Sequence, residues 1–339
     1  MEPTPNAARA SFEDALADQP VTLSRVVDII GTQLADLRRP AAMAPFFVGM
    51  GASHAALAAP IHVLRARGVP AHGAAAGDVP EQCACLGDPY VAVSQSGRSP
   101  ETLRVLLSVP FAHRLAVVNV VPSPLSEAAS TSLWLGGVRD SAVSSVGLTA
   151  TIVALGMAVD AWTDVLPAPS WRDMGDRVAE VIAGATSIVE HAAEGLGTVT
   201  SVDVVGGGAS ATAAEEGALL IRERDRMPAT GMETRTYLHG QMDAARQAGL
   251  VILGHEREAR LAEQLAGAGV PVLFITEADL SPAGSWVMRL PAVTTCQRVI
   301  LEVVVLQLLV RDLAARRDVA VDGPAFARED TKIPGALPT

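Results

Sequence analysis

The sequence predicts an α/β protein made of two similar three-layer α/β/α domains with mainly parallel sheets. Three observations carry that prediction. Short apolar runs that end in Gly or Ser alternate with longer segments of helical period, as βαβ units require. The order of these segments recurs past the middle of the 339 residues, which marks an internal repeat. Between the halves lies Leu166-Pro167-Ala168-Pro169-Ser170, a linker composition.

In the first half, Phe46-Phe47-Val48 enters Gly49-Met50-Gly51-Ala52-Ser53 and an alanine-rich helix to Arg67. Tyr90-Val91-Ala92-Val93 enters Ser94-Gln95-Ser96-Gly97 and a helix that starts near Ser99. Strands follow at 115–119 and 133–135, then a long apolar helix over 144–162. In the second half, a helix over 174–193 precedes a strand at 202–205, which enters Gly206-Gly207-Gly208-Ala209-Ser210 and a helix over 211–226. Strands at 250–253 and 270–276 flank another helix, and a helix over 297–316 closes the fold. The predicted organisation is an N-terminal segment 1–24, a first domain 25–165, a linker 166–175, a second domain 176–325 and a tail 326–339.

A hydrophobic share of 49% against 19% charged residues supplies a core and excludes disorder. With 37 Asp+Glu against 26 Lys+Arg and no basic cluster, the surface repels nucleic acid and anionic lipid. The most apolar helical stretch, 299–310, carries Glu302 and Gln307 and falls short of the roughly 20 residues that span a bilayer. No basic run followed by an apolar stretch opens the sequence, so the expected location is the cytoplasm. Cys83, Cys85 and Cys296 have the spacing of neither a disulfide framework nor a zinc site, and no His, Cys and acidic residues stand at ligand spacing. No metal and no cofactor are expected: Gly49-Met50-Gly51 lacks the third glycine of a dinucleotide fingerprint, and no Gly-Lys-Ser/Thr occurs.

Ser94-Gln95-Ser96-Gly97-Arg98-Ser99-Pro100 sits where a strand hands over to a helix. Ser99 suits the N-cap and Pro100 the first turn. The N–H groups there and the helix dipole favour an anion, and the hydroxyls of Ser94, Ser96 and Ser99 add donors, so the segment reads either as a phosphate cradle or as an ordinary capped turn. Gly51 and Ser53 end another strand, and in an open parallel sheet both loops border one crevice. The matching turn of the second half, Leu253-Gly254-His255-Glu256-Arg257, lacks the hydroxyl series, so one phosphate site per chain is expected.

Gly51-Ala52-Ser53, Ser94-Gln95-Ser96-Gly97, Asn119 before Pro122, and Glu216-Gly217-Ala218-Leu219 with the later His239-Gly240 together resemble the sugar isomerase (SIS) family. The resemblance is to its tandem-domain group, with the isomerase half of glucosamine-6-phosphate synthase and stand-alone aminosugar-phosphate deaminases and isomerases, and runs from about residue 25 to 325. It implies that Ser53, Ser94, Gln95, Ser96 and Ser99 hold a sugar phosphate and that Ser144 lines the same pocket. It implies further that Glu223 moves a proton between C1 and C2 of the open-chain sugar. By the same resemblance His239 helps open the ring and reaches the site from the partner in a homodimer with a shared active site. The sequence departs from the family at Leu220 and Gln241, and at Glu329 after Asp322-Gly323-Pro324; a lysine, a proline and a lysine, respectively, are usual there.

Aldose–ketose interconversion needs one base that reaches two adjacent carbons. Glu216 and Glu223 lie seven residues apart and project from roughly one helix face, although on the residues alone Glu223 reads equally as a partner for Arg222 or Arg226. The expected function is that of an aminosugar-phosphate deaminase or isomerase that hydrolyses no glutamine. The alternative is a phosphosugar-binding or sensing protein without catalysis.

Overall fold

The computed structural model describes residues 9–37, 39–40, 43–81, 86–164, 171–319, 325–326 and 329–333. The predicted linker Leu166–Ser170, Cys83, Cys85 and Asp322-Gly323-Pro324 lie outside the described residues. The chain divides into two compact units, Met1–Arg172 with Gly323–Thr339, and Asp173–Asp322.

The first unit begins with α1 (Phe12–Ala17) and α2 (Gln19–Gln33), then β1 (Phe46–Gly49), α3 (Ala52–Ala55), α4 (Ala58–Ala66) and β2 (His72–Ala75). It continues with β3 (Tyr90–Ser94), α5 (Pro100–Leu107), β4 (Arg114–Val118), α6 (Pro124–Ala128), β5 (Thr131–Trp134) and α7 (Val146–Trp162). The second unit holds α8 (Met174–Leu196), β6 (Val202–Gly206), α9 (Ala211–Arg224), β7 (Ala229–Glu233), α10 (Thr234–Leu238) and β8 (Gly249–Leu253). It ends with α11 (Glu256–Gly267), β9 (Val272–Thr276), β10 (Trp286–Arg289) and α12 (Thr295–Arg316).

Each unit is a three-layer α/β/α sandwich on a five-stranded parallel sheet, ordered β2-β1-β3-β4-β5 in the first and β10-β9-β8-β6-β7 in the second. In both, the first strand has the second on one side and the third, fourth and fifth in turn on the other. One face of the first sheet packs Val48, Tyr90, Ala92 and Val118 against Val105 and Leu106 of α5 and Leu125 of α6. One face of the second packs Val205, Ile252, Val272 and Phe274 against Leu261, Ala262 and Leu265 of α11. Central strands buried on both faces read as unbroken apolar runs, which is why they were visible in the sequence.

The structure adds three strands, β2, β7 and β10, to those the sequence predicts. All are edge strands, and Ala229 of β7 and Met288 of β10 are the buried residues among them. The alanine-rich helix predicted up to Arg67 is two helices, α3 and α4, because Pro60 has no N–H for the Ala56 carbonyl. The helix predicted to reach Arg226 stops at Arg224, where Arg226 turns left-handed (φ 54) ahead of Pro228. Among the described residues no helix is long and apolar enough to cross a membrane.

Tyr237, in α10, is fully buried and its hydroxyl has no hydrogen-bond partner. A hydroxyl buried unpaired costs about 1–3 kcal/mol, so Tyr237→Phe should hold or raise the Tm in thermal denaturation. A Tm lower by several degrees would show that the hydroxyl is paired.

Candidate functional site

In a parallel sheet with this strand order, the crevice opens between the first and third strands, where the chain connections depart in opposite directions. The loops there in the first unit are Gly49–Ser53 after β1 and Ser94–Ser99 after β3. Gly51 has φ 54, the left-handed region that favours glycine, and places Ser53 half-buried in α3. Gly97 is left-handed too (φ 64), and a Cβ there would fall 2.1 Å from the Ser123 Oγ. Ser123 caps α6 in a capping box with Ser126.

The serine loop is tied to its neighbours at both ends. The Asn119 N–H donates to the Gln95 carbonyl (2.9 Å) and the Leu125 N–H to the Gly97 carbonyl (3.1 Å). The Asn119 side chain is itself held by Val138, donating to its carbonyl at 2.7 Å and accepting from its N–H at 2.6 Å. Within the loop, the Ser94 and Ser99 hydroxyls lie 3.3 Å apart, and the Ser96 Oγ accepts from the Arg98 N–H at 3.3 Å.

The structure shows how two of these residues are engaged. Ser99 does occupy the N-cap of α5 with Pro100 in the first turn, but its hydroxyl faces Ser94 and makes no cap hydrogen bond. The first-turn N–H groups of α5 are therefore not capped by that side chain. The Gln95 Nε2 donates to the Asp140 carboxylate at 2.7 Å, which commits one of its two amide hydrogens and leaves the other.

Asp140 is the residue that sequence reasoning missed. Its carboxylate accepts from the Gln95 amide, from the Ser145 N–H (3.0 Å) and hydroxyl (2.7 Å), from the Ser144 hydroxyl (3.2 Å) and from the Ser141 N–H (3.0 Å). Through it, the serine loop and the segment that starts α7 become one hydrogen-bonded body. Gly147 permits the approach, since a Cβ there would lie 1.8 Å from the Gln95 Nε2 and 2.3 Å from the Asp140 carboxylate. An aspartate just before serines and a helix start is a known turn signature and could have flagged it.

The remaining candidates lie in the second unit. Glu216 is buried and Glu223 half-buried, both on α9, whereas His239 is exposed. His239 follows α10, which Glu233 caps by accepting from the N–H groups of Arg235 (2.6 Å) and Thr236 (3.1 Å), and precedes Gly240 at φ 123. Two residues past Glu223, burial pushes the Asp225 carboxyl up to about 8, with Arg224 and Arg317 pulling the other way. Among the described residues no group of His, Cys, Asp and Glu could hold a metal ion.

Asp140→Ala would leave the buried Ser145 N–H and hydroxyl and the Gln95 amide without their acceptor. One hydrogen bond to a charged group contributes about 1.5–3 kcal/mol, so urea unfolding should show a loss of at least that size. A change under about 0.5 kcal/mol, the range of an ordinary surface substitution, would show that the clasp carries no stability.

Residues 198–317 match the SIS domain family model. No curated protein sequence matches the chain. The fold is shared with solved structures along nearly the whole length. The C-terminal domain of glucosamine-fructose-6-phosphate aminotransferase from Francisella tularensis is 17% identical with a TM-score of 0.77, over 95% of this chain and 100% of that one. Tagatose-6-phosphate ketose/aldose isomerase from Escherichia coli is 16% identical with a TM-score of 0.75, over 96% and 100%. Glucosamine-6-phosphate deaminase from Thermotoga maritima is 17% identical with a TM-score of 0.74, over 95% and 99%. At these identities the likeness establishes the fold alone; the stretch that matches the SIS domain model lies within the second unit, and the first unit shares that unit's strand order.

Proposed function

We propose that the chain is a phosphosugar enzyme of the aldose–ketose isomerase or aminosugar-phosphate deaminase type, acting on a hexose or aminohexose phosphate without glutamine hydrolysis. The observation that carries the proposal is the serine loop: hydroxyls of Ser94, Ser96 and Ser99 around the uncapped start of α5, clasped by Asp140 and Asn119. Such a loop suits a phosphate dianion, because N–H groups and hydroxyls donate to it and the helix dipole adds attraction. The SIS match of the second unit and the isomerases and deaminase among the similar structures support the same reading.

In this reading the phosphate is held by Ser53, Ser94, Ser96 and Ser99 with Gly51 and Gln95, while Ser144 and Glu216 belong to the sugar pocket. Glu223 takes the proton from one carbon and returns it to the next through an enediol or enolamine. A sugar phosphate is mostly cyclic, and a neutral imidazole near pH 7 is suited to opening the ring. His239 has that role, reaching the sugar from the partner subunit of a cytoplasmic homodimer.

Replacing Ser94 and Ser96 together by Ala removes two donors to a dianion, and charge-assisted bonds contribute about 1.5–3 kcal/mol each. Affinity for a hexose phosphate in calorimetry should fall at least tenfold, with affinity for the unphosphorylated sugar unaltered. Equal losses for both ligands would move the phosphate elsewhere.

Incubation with a panel of hexose and aminohexose phosphates in deuterated water tests the chemistry. Solvent deuterium should enter C1 or C2, and ammonia release separates deaminase from isomerase. Glu223→Gln keeps the shape and loses the acceptor, so exchange should drop by about 10² or more with binding preserved. Unchanged exchange would place the base elsewhere, and no exchange from the native protein with any sugar would leave a binding protein.

A further inference from the structure

The second unit buries an ionic chain that the proposed chemistry does not use. Glu302, on α12, is 1% exposed, and its Oε1 accepts from the Ser210 hydroxyl at 2.8 Å. Ser210 is the N-cap of α9, the helix that carries Glu216 and Glu223. The Arg298 Nε lies 3.3 Å from the same Glu302 oxygen, one turn earlier on α12. The far side of that guanidinium donates to Glu277, just past β9, at 2.8 Å and meets the His255 ring, at the start of α11, at 3.0 Å. One turn further along α12, Leu306 packs where a Cβ on Gly217 would lie only 2.9 Å from it. Ser210 and Gly217 are two turns apart, as Glu302 and Leu306 are one, so α12 meets α9 through a polar pin and an apolar contact along one seam.

We propose that Glu302 is a positioning residue for the proton transfer: it fixes the start of α9, and so the direction in which Glu223 projects, with a grip that depends on its own protonation. The inference rests on the role proposed for Glu223. The second oxygen of Glu302 has no hydrogen-bond partner, so Arg298 and the Ser210 hydroxyl compensate the carboxylate from one side only. Burial pushes this carboxyl from 4.5 up to about 7; Arg298 and the Ser210 hydroxyl oppose the rise, and Glu277 adds to it. Arg298 and Ser210 face Glu302 directly, and Glu277 and His255 lie beyond Arg298. A carboxyl whose folded value is raised stabilises the folded state when protonated and loses that contribution as pH climbs through the folded value. Any opening of the α9 start that rehydrates Glu302 returns it to its ordinary value. Ionisation therefore favours opening by about tenfold between pH 6 and pH 8, given a shift from 4.5 to about 7.

The test is amide hydrogen exchange of the peptide over residues 207–224 at pH 6 and pH 8, corrected for intrinsic rates, in the native protein, Glu302→Gln and Ser210→Ala. The native protein should lose roughly tenfold in protection at the higher pH. Glu302→Gln should show no such loss, and Ser210→Ala should be less protected at both pH values. In parallel, kcat for deuterium exchange into the sugar should show an inflection near pH 7 that Glu302→Gln abolishes while KM stays unchanged. Protection that varies less than twofold with pH in the native protein, or a Glu302→Gln variant that keeps the native dependence, overturns the proposal. The amide measurement needs no sugar, so a failure of the proton-transfer reading shows in the deuterium assay alone.

Discussion

All strands of each sheet run parallel, and that constraint decides where chemistry can be placed. Every strand then delivers its carboxyl end to one edge of the sheet, and every connection must turn from strand to helix there within a few residues. The order reversal beside the first strand leaves a crevice at that edge. Both units solve the tight turn in the same way. A Cβ on Gly49 would lie 2.8 Å from the Ser53 carbonyl, and one on Gly206 would lie 2.5 Å from that of Ser210. The last residue of the first strand is glycine in each case because the next turn folds directly back upon it.

A loop that departs so sharply needs its backbone groups satisfied, and side chains from adjacent loops supply the partners. Asn119 serves both the β4 end and the segment at Val138, while Asp140 gathers donors from the serine loop and from the start of α7. A carboxylate beside the anion site proposed for this loop would, left bare, repel the anion. Here its oxygens are turned to the Gln95 amide, two N–H groups and two serine hydroxyls, so its charge is shared among donors that it also orients. The carboxylate therefore orders the loop, and its charge is taken up by donors of its own chain.

The sequence was legible wherever burial is two-sided, and of the four edge strands only at β5. The central strands β1, β3, β4, β6, β8 and β9 are apolar runs because both faces are covered, and they sit where periodicity places them. The edge strands β2 and β7 escape this logic, and each carries a glycine, Gly73 and Gly231. Close contact accounts for both glycines, since a Cβ on Gly73 would strike the Ile61 side chain at 2.6 Å and one on Gly231 the Ala214 carbonyl at 2.5 Å. The serine loop was legible as a motif, yet its internal bonding was not. The pairing of Ser94 with Ser99 and of Gln95 with Asp140 depends on residues 5 and 45 positions apart, which no local pattern encodes.

The two units share strand order but treat the crevice edge oppositely, and the start of the helix after the third strand shows why. In the first unit α5 opens with Ser99-Pro100, no side chain caps it, and hydroxyls gather around its first turn. In the second, Glu258 at the third position of α11 folds back, and its Oε2 accepts from the His255 N–H at 3.1 Å. The Glu258 Oε1 lies 2.8 Å from where a Cβ of Gly207 would be, so the carboxylate is pressed into the glycine loop and is 7% exposed. The positive end of that helix already has an anion, supplied by its own chain. With Glu277 and Glu302 close by, this edge is carboxylate-rich, with Arg298 the cation that bridges them. The same architecture thus leaves the start of the helix after the third strand without a side-chain cap in the first unit and closes it with the chain's own carboxylate in the second.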